Sequence, residues 1–171
     1  MIAVAAAAEQ GSLVLQKQVS VAGSNGNESV TAGARTKVAV HQGAPVVLVV
    51  DDYSDAREMY GEYLRFAGFE VLEAATGVEA VECAIARRPD IILMDLSLPV
   101  MDGCEATRRL KADGRTSRIP VVALTGHALA GYSDRARKAG CDAFLAKPCL
   151  PEDLVVEINR MLAGPPTAWH S

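Results

Sequence analysis

Three uninterrupted apolar runs constrain this chain more than anything else in it: Val46-Val47-Leu48-Val49-Val50, Ile91-Ile92-Leu93-Met94, and Ile119 to Leu124. None approaches the ~18 residues of a membrane span. Strands with one wet face would alternate apolar and polar residues. These runs do not alternate, so they predict strands buried on both faces. The intervening segments carry helical spacing. Asp55 to Ala67 places Met59, Tyr60, Tyr63, Leu64 and Ala67 on one stripe, closed by Gly68, and Gly77 to Arg87 does the same with Val78, Val81, Ala84 and Ile85, with Pro89 as its stop. Shorter strands are expected at Glu70 to Ala74 and Ala143 to Ala146, and further helices at about Asp102 to Lys111, about Leu129 to Ala139, and from Pro151 onward. The order is strand then helix, five times over. Such alternation with short connections predicts an α/β, doubly wound, five-stranded parallel sheet covered by helices on both faces, a three-layer αβα sandwich.

The first 44 residues have a different texture. Residues 1–44 hold no Phe, Tyr, Trp or Pro, and their only charges are Glu9, Lys17, Glu28, Arg35 and Lys37. A segment so poor in large apolar residues cannot build a core, so 1–44 is expected to be a disordered or loosely structured extension. Its apolar start is not preceded by Lys or Arg, which argues against a signal peptide. Residues 45–163 form the expected domain and 164–171 a short tail. The net charge of −4 and 5% aromatics argue against a nucleic-acid binder, which would show a basic stripe or stacking platform. Cys83, Cys104, Cys141 and Cys149 contain no C-x-x-C pair, and His41, His127 and His170 are scattered. Zinc spacing is therefore absent, and the thiols are expected to be reduced small hydrophobes, as in a cytoplasm. Methionines beyond Met1 are expected in the core.

In sheets of this kind, functional groups gather beyond the carboxyl ends of the strands. The first apolar run delivers Asp51 and Asp52, the second Asp95, the third Thr125, and the last strand Lys147. An Asp after a strand is ordinarily a turn former or helix cap, and a Thr there is ordinarily nothing more. Five such groups on one edge are another matter. Three carboxylates within a few ångströms repel one another and call for a cation. Oxygen-only ligands suit a hard ion, and Mg²⁺ takes one or two carboxylates while keeping waters for a phosphoryl group. Lys147 suits one phosphoryl oxygen and Thr125 another. Asp95, on its own strand and facing the acidic pair, suits a carboxylate nucleophile that forms an acyl phosphate.

From Val46 to about Leu162 the chain resembles a response-regulator receiver domain of two-component signalling. The resemblance rests on Asp51-Asp52, on Asp95-Leu96-Ser97-Leu98-Pro99-Val100-Met101-Asp102-Gly103, on Thr125, and on Lys147-Pro148, in this order and at these strand ends. It implies a flavodoxin-like fold with strand order 2-1-3-4-5 and Asp95 as phosphoacceptor. It implies Mg²⁺ arranged by Asp51, Asp52, Asp95 and the backbone carbonyl of Ser97, and a cis Lys147-Pro148 bond. It also implies a switch in which Thr125 moves inward on phosphorylation and the ring of Phe144 follows. The implied partners are a histidine kinase or histidine phosphotransfer protein upstream and a protein target downstream, with no direct contact to nucleic acid or membrane. No enzyme activity is expected beyond Mg²⁺-dependent self-phosphorylation and self-dephosphorylation of Asp95. Residues after Leu162 are too few for an output domain, so a stand-alone receiver is expected. The alternatives are a receiver that merely drains phosphate and a fragment of a hybrid histidine kinase.

Other readings fit less well. A flavin or nucleotide binder of similar fold needs a Gly- or Ser/Thr-rich phosphate loop after the first strand. This chain has Asp51-Asp52-Tyr53-Ser54-Asp55 there. A dehalogenase-like phosphatase would show Asp-x-Asp, whereas these two acids are adjacent. His127 and Ser97, each two residues beyond a site residue, are expected to tune water access, not to carry phosphate. Arg135, Arg137 and Lys138 with Glu152 and Asp153 make a mixed-charge face, which names no partner.

Overall fold

The computed structural model describes residues 43–126 and 132–164. Its elements run β1 (Val46–Val50), α1 (Ser54–Phe66), β2 (Glu70–Ala74), α2 (Gly77–Arg87), β3 (Ile91–Asp95), α3 (Gly103–Ala112), β4 (Val121–Thr125), α4 (Tyr132–Ala139), β5 (Ala143–Ala146) and α5 (Pro151–Ala163). All strands are parallel, in the order β2-β1-β3-β4-β5. The doubly wound α/β sheet expected from the sequence is therefore present. The chain reverses from building leftward to building rightward between β1 and β3, and those two strands pair directly, from Val47 with Ile91 to Val50 with Met94. The crevice beyond their carboxyl ends is where such folds place ligands.

Two layers of core sandwich the sheet. On one face Leu48, Val50, Ile92, Met94 and Ala123 meet Ala80 and Ala84 of α2 and Leu110 of α3. On the other, Val47, Val49, Leu93 and Leu124 meet Tyr60 and Leu64 of α1 with Leu154 and Ile158 of α5. Alternate residues of one strand thus feed opposite cores, which is why the runs show no polar alternation. At β4 the strand begins later than expected. Ile119 closes a turn onto Thr116, and Pro120, without an N–H, contributes only its carbonyl to Ile92 at 2.9 Å. Asp102 lies outside α3 as its N-cap, accepting from Glu105 N at 2.7 Å.

Several expected core positions turn outward. Met59 is 47% exposed, Ala67 is exposed past the last turn, and Val78 is 40% exposed. On α1 the buried stripe is centred on Tyr60, Gly61 and Leu64, and Met59 falls about 100° away from Tyr60 around the helix. On α2 the buried stripe is Gly77, Ala80 and Ala84, small residues that bring the helix close to its neighbours. A Cβ on Gly77 would stand 2.6 Å from the Met101 carbonyl, so the loop after β3 is pressed onto the start of α2. Cys104 and Cys141 are buried, Cys83 and Cys149 half-buried, and all four thiols are free. Expectations for residues 1–42 and 165–171, for His127, and for a start of α4 before Tyr132 lie outside the described residues.

Candidate functional site

Each central strand ends in a polar group that its own turn holds in place. After β1 the chain turns sharply, and Tyr53 N donates to Asp51 Oδ1 at 2.9 Å. After β3 the same geometry recurs, with Ser97 N donating to Asp95 Oδ1 at 2.8 Å. One oxygen of each carboxylate is thereby fixed by backbone. The other oxygen meets Lys147, whose Nζ lies 2.6 Å from Asp51 Oδ2 and 2.5 Å from Asp95 Oδ2. Asp51 and Asp95 are only 1% and 6% exposed, whereas Asp52 is exposed to solvent.

The resulting charge does not balance. Asp51, Asp52 and Asp95 place carboxylate oxygens within 4.8 Å of one another, and the ammonium of Lys147 touches two of the three. Burial works against the Lys147 ammonium, but hydrogen bonds to Asp51 and Asp95 and their charges outweigh it, holding its pKa above the usual lysine value. A surplus of negative charge remains at a set of oxygen donors open on the Asp52 side. That donor set fits a hard divalent cation and not a soft one.

The last two site residues come from β4 and β5. Thr125 is fully buried at the end of β4, and its carbonyl accepts from Lys147 N at 2.7 Å. The Lys147-Pro148 bond is cis. Ala123 pairs with Phe144 and Thr125 with Ala146, so the strand alternation puts Thr125 and Phe144 on one face of the sheet. The Phe144 ring is half-buried against the core on that face. Ser97 is exposed beside Asp95. The structure therefore gathers Asp51, Asp52, Asp95, Thr125 and Lys147 at one edge, with Ser97 beside them and Phe144 one turn of pleat below.

Residues to which the sequence assigned no part in the site support this edge. Arg57 Nη1 donates to the Asp51 carbonyl at 2.7 Å while its Nε lies 3.4 Å from Glu73 on β2, tying the acidic turn to the sheet edge. Tyr60 Oη lies 3.5 Å from Cys149 Sγ, and burial, the thiol, and the charges of Asp51 and Asp95 all push its phenol pKa up. A Cβ on Gly103 would fall 2.1 Å from the Asp95 carbonyl, so α3 rests directly on the end of β3. Only the Asp-Gly pair opening α3 hinted at that contact. Arg57 and Tyr60 bear no local signal, because Glu73 and Cys149, which they meet, lie 16 and 89 positions away.

Comparisons with known proteins bear on the family and the fold. Residues 47–159 match the model of the response regulator receiver domain. The polar-differentiation response regulator DivK of Brucella anthropi is 37% identical over 102 residues, covering 60% of this chain and 83% of that protein. Among solved structures, the receiver domain of sensor histidine kinase PA1611 from Pseudomonas aeruginosa PAO1 has a magnesium ion coordinated in its active site cleft. It superimposes with TM-score 0.68 at 35% identity, covering 71% of this chain and all (100%) of that one. The chemotaxis protein CheY4 of Vibrio cholerae gives TM-score 0.66 at 32% identity, covering 69% of this chain and 98% of that one.

Proposed function

The chain belongs to the response regulator receiver family of two-component signalling, and from that premise we propose that Asp95 is its phosphoacceptor. One observation carries the assignment. Of the two buried carboxylates that Lys147 holds, Asp51 belongs to the adjacent pair with Asp52, whereas Asp95 stands alone as the last residue of β3, facing that pair. A donor phosphohistidine supplies the phosphorus. As a carboxylate oxygen of Asp95 forms its bond to phosphorus, the donor N–P bond breaks and its electron pair returns to the imidazole ring. Lys147 neutralises one phosphoryl oxygen in this reading, and the hydroxyl of Thr125 donates to another. Asp51, Asp52, Asp95 and the Ser97 carbonyl would hold Mg²⁺, which when bound offsets the charge gathering on the phosphoryl oxygens.

Signalling follows from the shared face of Thr125 and Phe144. An acyl phosphate that engages the Thr125 hydroxyl favours one arrangement of β4 and its following loop, and Phe144 fills the space behind it. The upstream partner in this reading is a histidine kinase or phosphotransfer protein and the downstream partner a protein. A cytoplasmic location belongs to the same reading, as that of the kinase or phosphotransfer protein it would meet; no helix among the described residues is long and apolar enough to cross a membrane.

The test is phosphotransfer from kinase cores loaded with labelled phosphohistidine, with Mg²⁺ present. Label should pass to the wild type and not to Asp95→Asn. Label retained by Asp95→Asn would reassign the nucleophile. Thr125→Ala should still take label but lose the change in hydrogen exchange around Phe144 that beryllofluoride induces in the wild type. Wild-type exchange unchanged by beryllofluoride would make the chain a phosphate sink.

A further inference from the structure

Helix α1 holds two loops of the site at once. Arg57 and Tyr60 stand three residues apart on it, and residues so spaced share one side of a helix. Arg57 Nη1 donates to the Asp51 carbonyl at 2.7 Å, in the turn that follows β1. One turn further along the helix, the Tyr60 hydroxyl lies 3.5 Å from Cys149 Sγ, in the connection from β5 to α5. Asp51 and Lys147, which these two loops deliver, meet in an ion pair of 2.6 Å. One helix thus spans the loops whose charged side chains must find each other.

The Tyr60 contact is the less expected of the two. Its ring belongs to the core layer that α1 and α5 form against the sheet, and Cys149 packs on that same layer. A phenylalanine would fill the place of the ring without bringing a polar atom into it. A buried hydroxyl without a partner is destabilising, so the hydroxyl makes the position of its partner matter. Among the described residues no buried side-chain polar atom lacks a partner, and for Tyr60 that partner is the thiol. Cys149 stands two residues beyond Lys147, and Pro148 between them has no N–H with which to anchor the segment. Burial first, then the thiol, then the charges of Asp51 and Asp95 raise the pKa of Tyr60. The hydroxyl therefore stays protonated, within electrostatic reach of the two carboxylates that hold Lys147.

We propose that Tyr60 and Cys149 are a positioning pair, whose hydrogen bond ties the connection after β5 to α1 and so sets where the Lys147 ammonium stands between Asp51 and Asp95. The inference rests on the phosphoacceptor reading above, in which that ammonium neutralises a phosphoryl oxygen. Neither residue touches the phosphoryl group. Both act through Lys147, whose charge counts most when it already stands where negative charge develops. Misplacing such a group by about 1 Å can slow a reaction by as much as ~10²-fold. Asp51 and Asp95 are each fixed by a backbone N–H of their own turn, so the oxygens that would hold Mg²⁺ do not depend on the pair.

The experiment follows loading of the full chain by acetyl phosphate at saturating Mg²⁺, read as a maximal rate and a half-saturating donor concentration, with the Mg²⁺ dissociation constant measured alongside. Tyr60→Phe keeps the ring and removes the hydroxyl, and Cys149→Ala removes the thiol. Each should lower the maximal rate about tenfold while half-saturation and Mg²⁺ affinity stay within about twofold of wild type. The double variant should be no slower than the slower single one, because the two groups make one contact. Cys149→Ser gives the hydroxyl a partner again and should recover at least about half of the wild-type rate. An unchanged rate in Tyr60→Phe would overturn the proposal. So would losses that multiply in the double variant, or Mg²⁺ affinity that falls in step with the rate, since both are marks of loosened packing. A wild type that acetyl phosphate cannot load, or an Asp95→Asn variant that it can, would overturn the phosphoacceptor reading itself and this inference with it.

Discussion

Two lysine–aspartate pairs stand at opposite edges of the same sheet, and they are built for different ends. At the amino edge Lys111 lies 2.7 Å from Asp142, and its remaining contacts are the carbonyls of Ile119 at 2.8 Å and Ser117 at 3.5 Å. Asp142 Oδ2 also accepts from Val121 N at 2.8 Å. One cation faces one anion, backbone groups complete the set, and α3 is pinned to the starts of β4 and β5. At the carboxyl edge one ammonium faces a group of three carboxylates, and the third points to solvent. The first pair is satisfied by the fold. The second sets one ammonium against three carboxylates, and that imbalance separates a site from a strut.

The comparison breaks most sharply at the strut. Lys111→Met would strand two carbonyls and the Asp142 carboxylate at a partly buried position, costing about 2 kcal/mol in urea unfolding. Phosphoryl loading should survive, because nothing at the carboxyl edge is touched. Loss of loading with unchanged stability would mean that the two edges are not separable in this way.

A smaller effect of opposite sign is expected at the site. Mg²⁺ at about ten times its dissociation constant should stabilise the fold by about 1.4 kcal/mol through mass action. Asp52→Asn removes charge from the crowded group without touching the Lys147 contacts. It should raise metal-free stability by about 0.5–1 kcal/mol at low salt and abolish the gain from Mg²⁺. Asp142→Asn should instead lower stability and keep the Mg²⁺ response. Thermal melts with and without metal distinguish these outcomes.

The smallest effect lies in alkali. The folded-state pKa of Lys147 is held above its usual 10.5 by Asp51 and Asp95 against the pull of burial, and that of Tyr60 is raised above 10.0 by burial first. Both contributions are complete below the unfolded values and are lost as pH rises through the folded ones. Stability should therefore decline above pH 10, and the decline should be shallower in Lys147→Met and in Tyr60→Phe. A decline of equal depth in both variants would place its origin elsewhere.

Legibility in the sequence follows the range of the interactions. Val46 to Val50 and Ile91 to Met94 announce doubly buried strands, and the polar residues that end them announce the edge where Asp51, Asp95 and Lys147 meet. Helix faces were less legible. Met59 and Val78 are apolar and in register, yet Tyr60 and Ala80 set the buried stripes, because the close approach of neighbouring elements decides which side turns inward. Lys111 and Asp142 are 31 positions apart, and nothing local marks them as partners. Val100, at φ +66, was the least legible, since its residue type argues against that conformation.

The surplus carboxylates have one decisive consequence, and intact-mass measurement reads it. With acetyl phosphate and Mg²⁺ the wild type should gain a single adduct of about 80 Da, one phosphoryl group on a carboxylate nucleophile. Asp142→Asn should gain it too, while Asp95→Asn, or wild type stripped of metal, should not. An adduct that persists in Asp95→Asn, or that forms equally well without a divalent cation, would contradict the account of this edge as a cation-dependent phosphoryl site.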